Sequence, residues 1–132
     1  MSSANSIELA ERFAKALDQE DYPTALACLD PDCLYEIRGE TLMGAEAIIA
    51  SYQKNGDSGS DRFDFIRYES GVEPIEGGVR IEFLDHLTLE GRNHTHTCVQ
   101  ELTFNPTGEI CGIRHIDLEG EREALKRFEE GL

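Results

Sequence analysis

The stretch from 78 to 118, GVRIEFLDHLTLEGRNHTHTCVQELTFNPTGEICGIRHIDL, decides the fold. Side chains on a strand alternate between its two faces. Over 78–90 the odd positions are Val79, Ile81, Phe83, Asp85, Leu87 and Leu89, whereas Arg80, Glu82, His86, Thr88 and Glu90 are even. The odd face is therefore the buried one, and Asp85 is its polar member. Over 93–104 the even positions, His94, His96, Cys98, Gln100, Leu102 and Phe104, form the buried face, opposite Thr95, Thr97, Val99, Glu101 and Thr103. Two turns set the registers. Gly91-Arg92 has the Gly-first pattern of a type II′ hairpin, which pairs Leu87 with His96, Asp85 with Cys98 and Phe83 with Gln100. Asn105-Pro106-Thr107-Gly108 reads as a four-residue turn, pairing Gln100 with Ile113 and Cys98 with His115. Both registers bring Cys111, Ile113, His115 and Asp117 to the same side. On the last strand Ile110, Ile116 and Leu118 form a rival apolar face, and one bulge would exchange the two. The outcome is an apolar concave face carrying Asp85, His96, Gln100 and His115 around Cys98.

Upstream, residues 7–19 have helical spacing, with Ile7, Ala10, Phe13, Ala14 and Leu17 on one stripe. Asn5 and Glu8 have capping-box spacing. Asp21-Tyr22-Pro23 opens a short helix that runs to about Leu29, since Pro is tolerated in a first turn. CLYEIR (33–38) suits a strand. A third helix starts at Gly44, with Ala47, Ile48, Ser51 and Tyr52 on a stripe and Gly56 as its C-cap, and GDSGSD (56–61) reads as a loop. Strands follow over 62–73, 78–90, 93–104 and 109–118, and 119–130 reads as a solvated terminal helix. The order helix, helix, strand, helix and four strands predicts an α+β fold with three helices on one face of a curved, mostly antiparallel sheet. One domain spans 1–132, with its core in about 6–118.

With 132 residues the chain has the length of one domain. The net charge of −15, from 27 Asp and Glu against 12 Lys and Arg, argues against nucleic acid and anionic membranes. No apolar run approaches the ~20 residues of a membrane helix, and MSSANSIELAERF has no secretory pattern, so a cytoplasmic location is expected. Cys28, Cys33, Cys98 and Cys111 lack CxxC spacing, so reduced thiols and neither zinc nor a redox pair are expected.

ELAERFAKALDQEDYPTALACLDPDCLYEIRG (8–39), GAEAIIASY (44–52), and the hairpins around EGR (90–92) and FNPTGEICGIRHID (104–117) resemble the SnoaL-like branch of the nuclear transport factor two superfamily. The resemblance covers about residues 6–118. It implies a cone of sheet and helices around a pocket, and homodimers formed through the outer sheet face, for which the Thr-rich face of 93–104 with Val99 is suited. Members range from ketosteroid isomerase, polyketide cyclases, scytalone dehydratase and epoxide hydrolases to non-catalytic binders. Aligned with ketosteroid isomerase, Glu36 falls at the general base, whereas Gln100 and Phe13 replace its two oxyanion donors, so that isomerase activity is not implied. His96 and His115 resemble the paired pocket histidines of scytalone dehydratase. Asp85 takes the part of the acid/base Asp of polyketide cyclases.

Two readings follow. In one, the protein is a cofactor-free acid/base enzyme of isomerase, cyclase, dehydratase or hydrolase type on an apolar, carbonyl-bearing ring compound. Asp85 is then the base, His115 the acid or orienting group, and His96 and Gln100 polarise the substrate. Glu36 is a further candidate if it faces the pocket, although Cys33, Tyr35 and Ile37 form a rival inward face. Tyr52, Phe83, Cys98 and Ile113 complete the ligand-binding set. Cys98 reads as a small core residue before a nucleophile. The His94/His96 pair alone makes a weak metal signal, and no metal is expected. In the other reading, the same fold is a non-catalytic ligand-binding or dimerisation module. An open pocket lined by Asp85, His96, Gln100 and His115 favours the first, whereas a cavity filled by Phe and Leu excludes it.

Overall fold

A computed structural model describes residues 3–131. The helices are α1 (Ser3–Asp18), α2 (Tyr22–Ala27), α3 (Ala45–Arg62) and α4 (Glu121–Glu129). The strands are β1 (Leu29–Ile37), β2 (Glu40–Met43), β3 (Phe65–Ile75), β4 (Gly78–Leu89), β5 (Arg92–Phe104) and β6 (Ile110–Asp117). They form one sheet of order β2-β1-β6-β5-β4-β3, antiparallel except where β1 runs parallel to β6. This is the expected α+β plan. No helix among the described residues is long and apolar enough to cross a membrane.

The helices cover the concave face. From α1, Ala10, Phe13, Ala14 and Ala16 are buried, and they share a core with Ile48 and Ile49 of α3 and with Val79, Ile81, Leu102, Ile110 and Ile113 of the sheet. α1 begins at Ser3, so Asn5 lies inside the helix and is not its cap. Asp21 caps α2 instead, accepting from the Thr24 amide. A second cluster, Phe63, Leu87 and Phe128 with Leu125, holds α4 against the far end of the sheet. The four cysteines are free thiols.

Three local expectations are corrected. β2 was missed, because ETLM has no strong alternation. Arg38 (φ 47°) and Gly39 (φ 80°) turn the chain tightly, so that Ile37 pairs with Glu40. α3 does not end at Gly56 but runs through GDSGSD to Arg62. Its glycines serve close packing, since a Cβ on Gly56 would lie 2.9 Å from Tyr22 Oη and one on Gly59 would lie 3.0 Å from Ile66 Cδ1. The strand placed at 62–73 runs from Phe65 to Ile75, where Pro74 is tolerated because β3 is an edge.

Both hairpin registers differ from expectation by two residues. The β4–β5 turn is Glu90-Gly91, with φ of 51° and 77°, so positive φ at both positions marks type I′ rather than II′. Leu89 then pairs with Arg92, Leu87 with His94, Asp85 with His96 and Phe83 with Cys98. Between β5 and β6 the register shifts at Thr103/Phe104, Phe104 pairing with Ile110 but Thr103 with Gly112. Cys111 is the extra residue, and the bulge lets Ile110 and Ile113 both reach the core. Beyond it, Gln100 faces His115 and Cys98 faces Asp117. A two-residue shift preserves facing, so the inward set survives while the cross-strand partners change.

Gly78 shows how tightly this hairpin stack is packed. A Cβ there would lie 1.9 Å from the Leu102 carbonyl oxygen, which is backbone and cannot rotate away. Gly78→Ala is expected to cost about 1–3 kcal/mol through overpacking. Gly71→Ala, with nothing within 4 Å of its Cβ position, is expected to be neutral or slightly stabilising. Urea melts of the two variants check the contrast, and equal midpoints would contradict it.

Candidate active site

A cavity of about 330 Å³ opens between the concave sheet face, α1, α3 and α4. Tyr35 and Arg38 line it from the β1 end, Asp18 and Tyr22 from the α1–α2 corner, Tyr52 and Arg62 from α3, Tyr68 from β3, and Leu125 from α4. The sheet contributes Phe83, Asp85, Leu87, His96, Cys98, Gln100 and His115. Asp85, His96, Gln100 and His115 thus all reach an open space that apolar side chains do not fill.

Asp85 sits in the middle of β4 with Tyr68 and His96 as its neighbours on β3 and β5. Among the described residues, no donor bonds its carboxylate. Its pKa is raised to about 6, chiefly by burial and then by the negative charge of Asp18, with His86 acting in the opposite sense. Asp18 is the last residue of α1 and accepts a hydrogen bond from Ser70 Oγ at 2.5 Å. Burial raises its pKa as well, against the Ser70 bond.

The opposite wall is a connected hydrogen-bond network. Gln100 is the fully buried polar side chain among the described residues, 3 % exposed. Tyr52 Oη donates to Gln100 Oε1 at 2.5 Å, and Gln100 Nε2 donates to Tyr35 Oη at 3.1 Å. Gln100 Nε2 also lies 3.2 Å from His115 Nδ1, while His115 Nε2 lies 2.9 Å from Asp117 Oδ1. Arg38 closes the row with two bonds to Asp117, 2.7 and 2.9 Å. With the amide N–H donating to Nδ1, the imidazole proton belongs on Nε2, pointing at Asp117. Burial pushes the Asp117 pKa up, but the bonds from Arg38 and His115 outweigh it and hold the carboxyl below its usual value.

His96 lies beside Asp85. Burial, ahead of the opposing Glu121 charge, lowers its pKa, so it is neutral at pH 7, and its Nδ1 is buried without a hydrogen-bond partner among the described residues. The Cys98 thiol is pushed up to about 12 by burial and by Asp85, which disfavours the thiolate a nucleophile needs.

Several expected placements are corrected. Asp85 and His115 do not form a pair, because both ring nitrogens of His115 are taken by Gln100 and Asp117. Glu36 is exposed and sits on the outer face of β1, since Cys33 and Tyr35 take the inward positions. Ile113 is buried opposite Leu102 in the core and does not line the cavity. Phe13 is also core, packed edge-on against Tyr52 with ring centroids 6.0 Å apart. His94 stacks on Phe128 at 5.0 Å, away from the cavity lining. Among the described residues, no three His, Cys, Asp or Glu side chains converge as a metal site. His86 sits on the outer face, bonded to Thr95 and Glu69.

Sequence reasoning missed Asp18, Tyr35, Tyr68 and Arg38 as lining residues. Asp18 had a signal, since it continues the buried stripe of Ala10 and Ala14 at i+4 spacing. Tyr35 was legible as the inward member of a rival face. Arg38 had none, because it sits in a turn that was not anticipated.

No family model matches the chain, and no curated protein sequence matches it. Solved structures do match along nearly the whole length. A putative polyketide cyclase from Xanthomonas campestris pv. campestris is 17% identical at a TM-score of 0.70, covering 92% of this chain and 96% of its own. TerC, co-crystallised with polyporic acid, is 16% identical at 0.71, covering 96% and 98%. An LEH-like epoxide hydrolase of M. tuberculosis is 18% identical at 0.65, covering 98% of each chain. Element order, curved sheet and these superpositions agree: the chain has the SnoaL-like, nuclear transport factor two-like fold.

Proposed function

We propose that the protein is an acid/base enzyme that moves a proton at a carbon beside the carbonyl of an apolar ring compound, with Asp85 as the group that takes and returns it. The observation that carries this reading is Asp85 itself. It is a partly buried carboxyl at the wall of an open cavity, without a hydrogen-bond donor among the described residues, and its pKa is about 6. A structural carboxylate in an apolar setting is normally paired or hydrogen-bonded. An unpaired one poised near neutral pH fits a general base.

In this reading the C–H bond breaks, its proton passes to Asp85, and the electron pair moves onto the carbonyl oxygen to give an enolate. Return of the proton to the same or a conjugated carbon completes an isomerisation or sets up ring closure. Phe83, Leu87, Ile66 and Leu125 supply the apolar walls. The cavity volume lies at the lower end of the range for small-molecule pockets, which favours compact rings. The likeness to a protein described as a putative polyketide cyclase and to one crystallised with polyporic acid supports a ring substrate.

The test is deuterium exchange. Cyclic ketones that raise the melting temperature are incubated with the protein in D2O and followed by NMR. Exchange at the carbon beside the carbonyl is expected, with a rate that rises through about pH 6 as Asp85 ionises. Ketones that bind yet do not exchange above background would overturn the reading in favour of a binding module.

A further inference from the structure

We propose that Tyr68 is the hydrogen-bond donor to the carbonyl oxygen of the ligand, set directly across from Asp85 on the neighbouring strand. Its catalytic value rests on Asp85 acting as the base. As the C–H bond breaks toward Asp85, negative charge moves to the oxygen, and a desolvated oxyanion needs a donor. The polar wall across the sheet is committed to itself. Tyr52 bonds to Gln100, Gln100 to Tyr35 and His115, and His115 to Asp117, while Tyr35 is held by both Gln100 and Tyr52. Tyr22 donates to Glu20 at 3.3 Å. His96, the other strand neighbour of Asp85, keeps its Nδ1 buried. Tyr68 is different. Among the described residues its hydroxyl has no hydrogen-bond partner, and it is not one of the sealed polar atoms, so it opens on the cavity that its side chain lines.

The strand register brings the two groups together. Tyr68 and Asp85 are directly opposed on β3 and β4, and both side chains line the cavity. Opposed residues of an antiparallel pair have Cβ atoms about 5 Å apart. From that common base the phenol reaches further from the sheet than the carboxyl. It extends to α3, where a Cβ on Gly59 would lie 3.8 Å from Tyr68 Oη. Glycine at 59 leaves no side chain of its own over the hydroxyl. The carboxyl thus lies low and the hydroxyl high on one side of the cavity. A carbonyl oxygen and the carbon beside it, each about 3 Å from its protein partner, span that offset. The C–H meets Asp85 at the floor, and the oxygen meets Tyr68 above it. Burial, followed by the charges of Asp85 and Glu20, pushes the Tyr68 pKa up to about 12, so the phenol keeps its proton. The C–H bond breaks, its proton passes to Asp85, its electron pair moves to the oxygen, and the phenol O–H stays intact. The Tyr68 bond strengthens as that charge builds, which makes it a transition-state contact rather than a uniform one.

The probe is 2-tetralone carrying 13C at its carbonyl, a ring ketone whose carbonyl signal lies clear of those of the protein. Wild type and Tyr68→Phe are titrated with it, and deuterium exchange beside the carbonyl is followed at saturation, above about pH 6 where Asp85 is ionised. A hydrogen bond to the oxygen moves the carbonyl signal downfield. The wild type is expected to produce that shift and Tyr68→Phe to lose it. Affinity should weaken by no more than about tenfold, the range for a neutral hydrogen bond. Exchange at saturation should slow by about 10²–10³-fold, the range for an oxyanion donor. A packing role would change affinity and stability alone. Equal carbonyl shifts and equal saturated exchange rates in the two proteins overturn Tyr68 and leave Asp85 standing. A wild type that shows the shift without exchange overturns Asp85 as the base, while loss of the shift in Tyr68→Phe still supports Tyr68 as the donor. No downfield shift with the wild type, whether or not the ketone binds, overturns the proposal. If Tyr68→Phe does not fold, the wild type labelled with 13C at tyrosine Cζ gives the answer. The Tyr68 signal, identified after Tyr22, Tyr35 and Tyr52 are assigned through their Phe variants, must move when 2-tetralone is added, and a stationary signal overturns the proposal.

Discussion

Asp85→Asn is expected to be at once the most damaging substitution for activity and a stabilising one. Loss of a general base typically costs 10²–10⁴-fold, so deuterium exchange of a bound cyclic ketone should fall by about that factor. Stability should move the other way. In the folded protein Asp85 titrates at about 6, against a model value of 3.8. A raised folded pKa means that the native state favours the protonated carboxyl. The associated stability is present at low pH, fades as the pH climbs from about 4 to about 6, and is absent above. Two units of difference correspond to about 3 kcal/mol. Asparagine stays neutral throughout, so the variant escapes this loss. At pH 8 it should melt roughly 5–10 °C above the wild type, and the gap should narrow steadily as the pH falls toward 4. Thermal melts across that range decide the matter. A variant less stable than the wild type at pH 8 would mean that the carboxylate has a structural partner, and Asp85 would lose its standing as a base.

How far the sequence reaches is visible in the same residue. Alternation along 78–90 made Asp85 inward-facing, and this was robust because strand faces depend only on odd or even position. Both registers inferred from turn chemistry were displaced by two, which preserves the parity. The membership of the cavity was therefore legible, and its pairings were not. Asp85 was matched with Cys98 and His115, yet it lies opposite His96, while His115 is held by Asp117. The cause is local. Glu90 adopts a left-handed φ of 51°, which is uncommon for a residue with a side chain, so the Glu90-Gly91 turn was passed over for a glycine-first one. The β6 bulge at Cys111 left no sequence signature beyond apolar residues on both faces. Strand β1 was ambiguous for the same reason, since Leu34 and Glu36 alternate with Cys33, Tyr35 and Ile37. Packing under α3 turned Tyr35 inward and left Leu34 41 % exposed. Contacts between helices and sheet, such as Asp18 with Ser70, depend on how α1 docks, and helical periodicity gives only the face that docks.

Gln100→Leu provides the counterpart to Asp85→Asn, because both side chains face one cavity and their energetics are opposed. Among the described residues Asp85 has no hydrogen-bond partner, and its charge destabilises the fold above about pH 6. Gln100 is bonded at both ends of its amide and binds three elements together, Tyr52 of α3, Tyr35 of β1 and His115 of β6. Leucine preserves the approximate volume but leaves the Tyr52 hydroxyl without its acceptor and His115 Nδ1 without its donor. Each buried orphan costs about 1–3 kcal/mol, and the apolar leucine recovers part of that. The expected loss is about 3 kcal/mol, or roughly 10 °C in melting temperature. In Asp85→Asn, by contrast, stability should rise. Urea melts of the two proteins check both halves. A Gln100→Leu protein as stable as the wild type would show that the wall is not held through this amide.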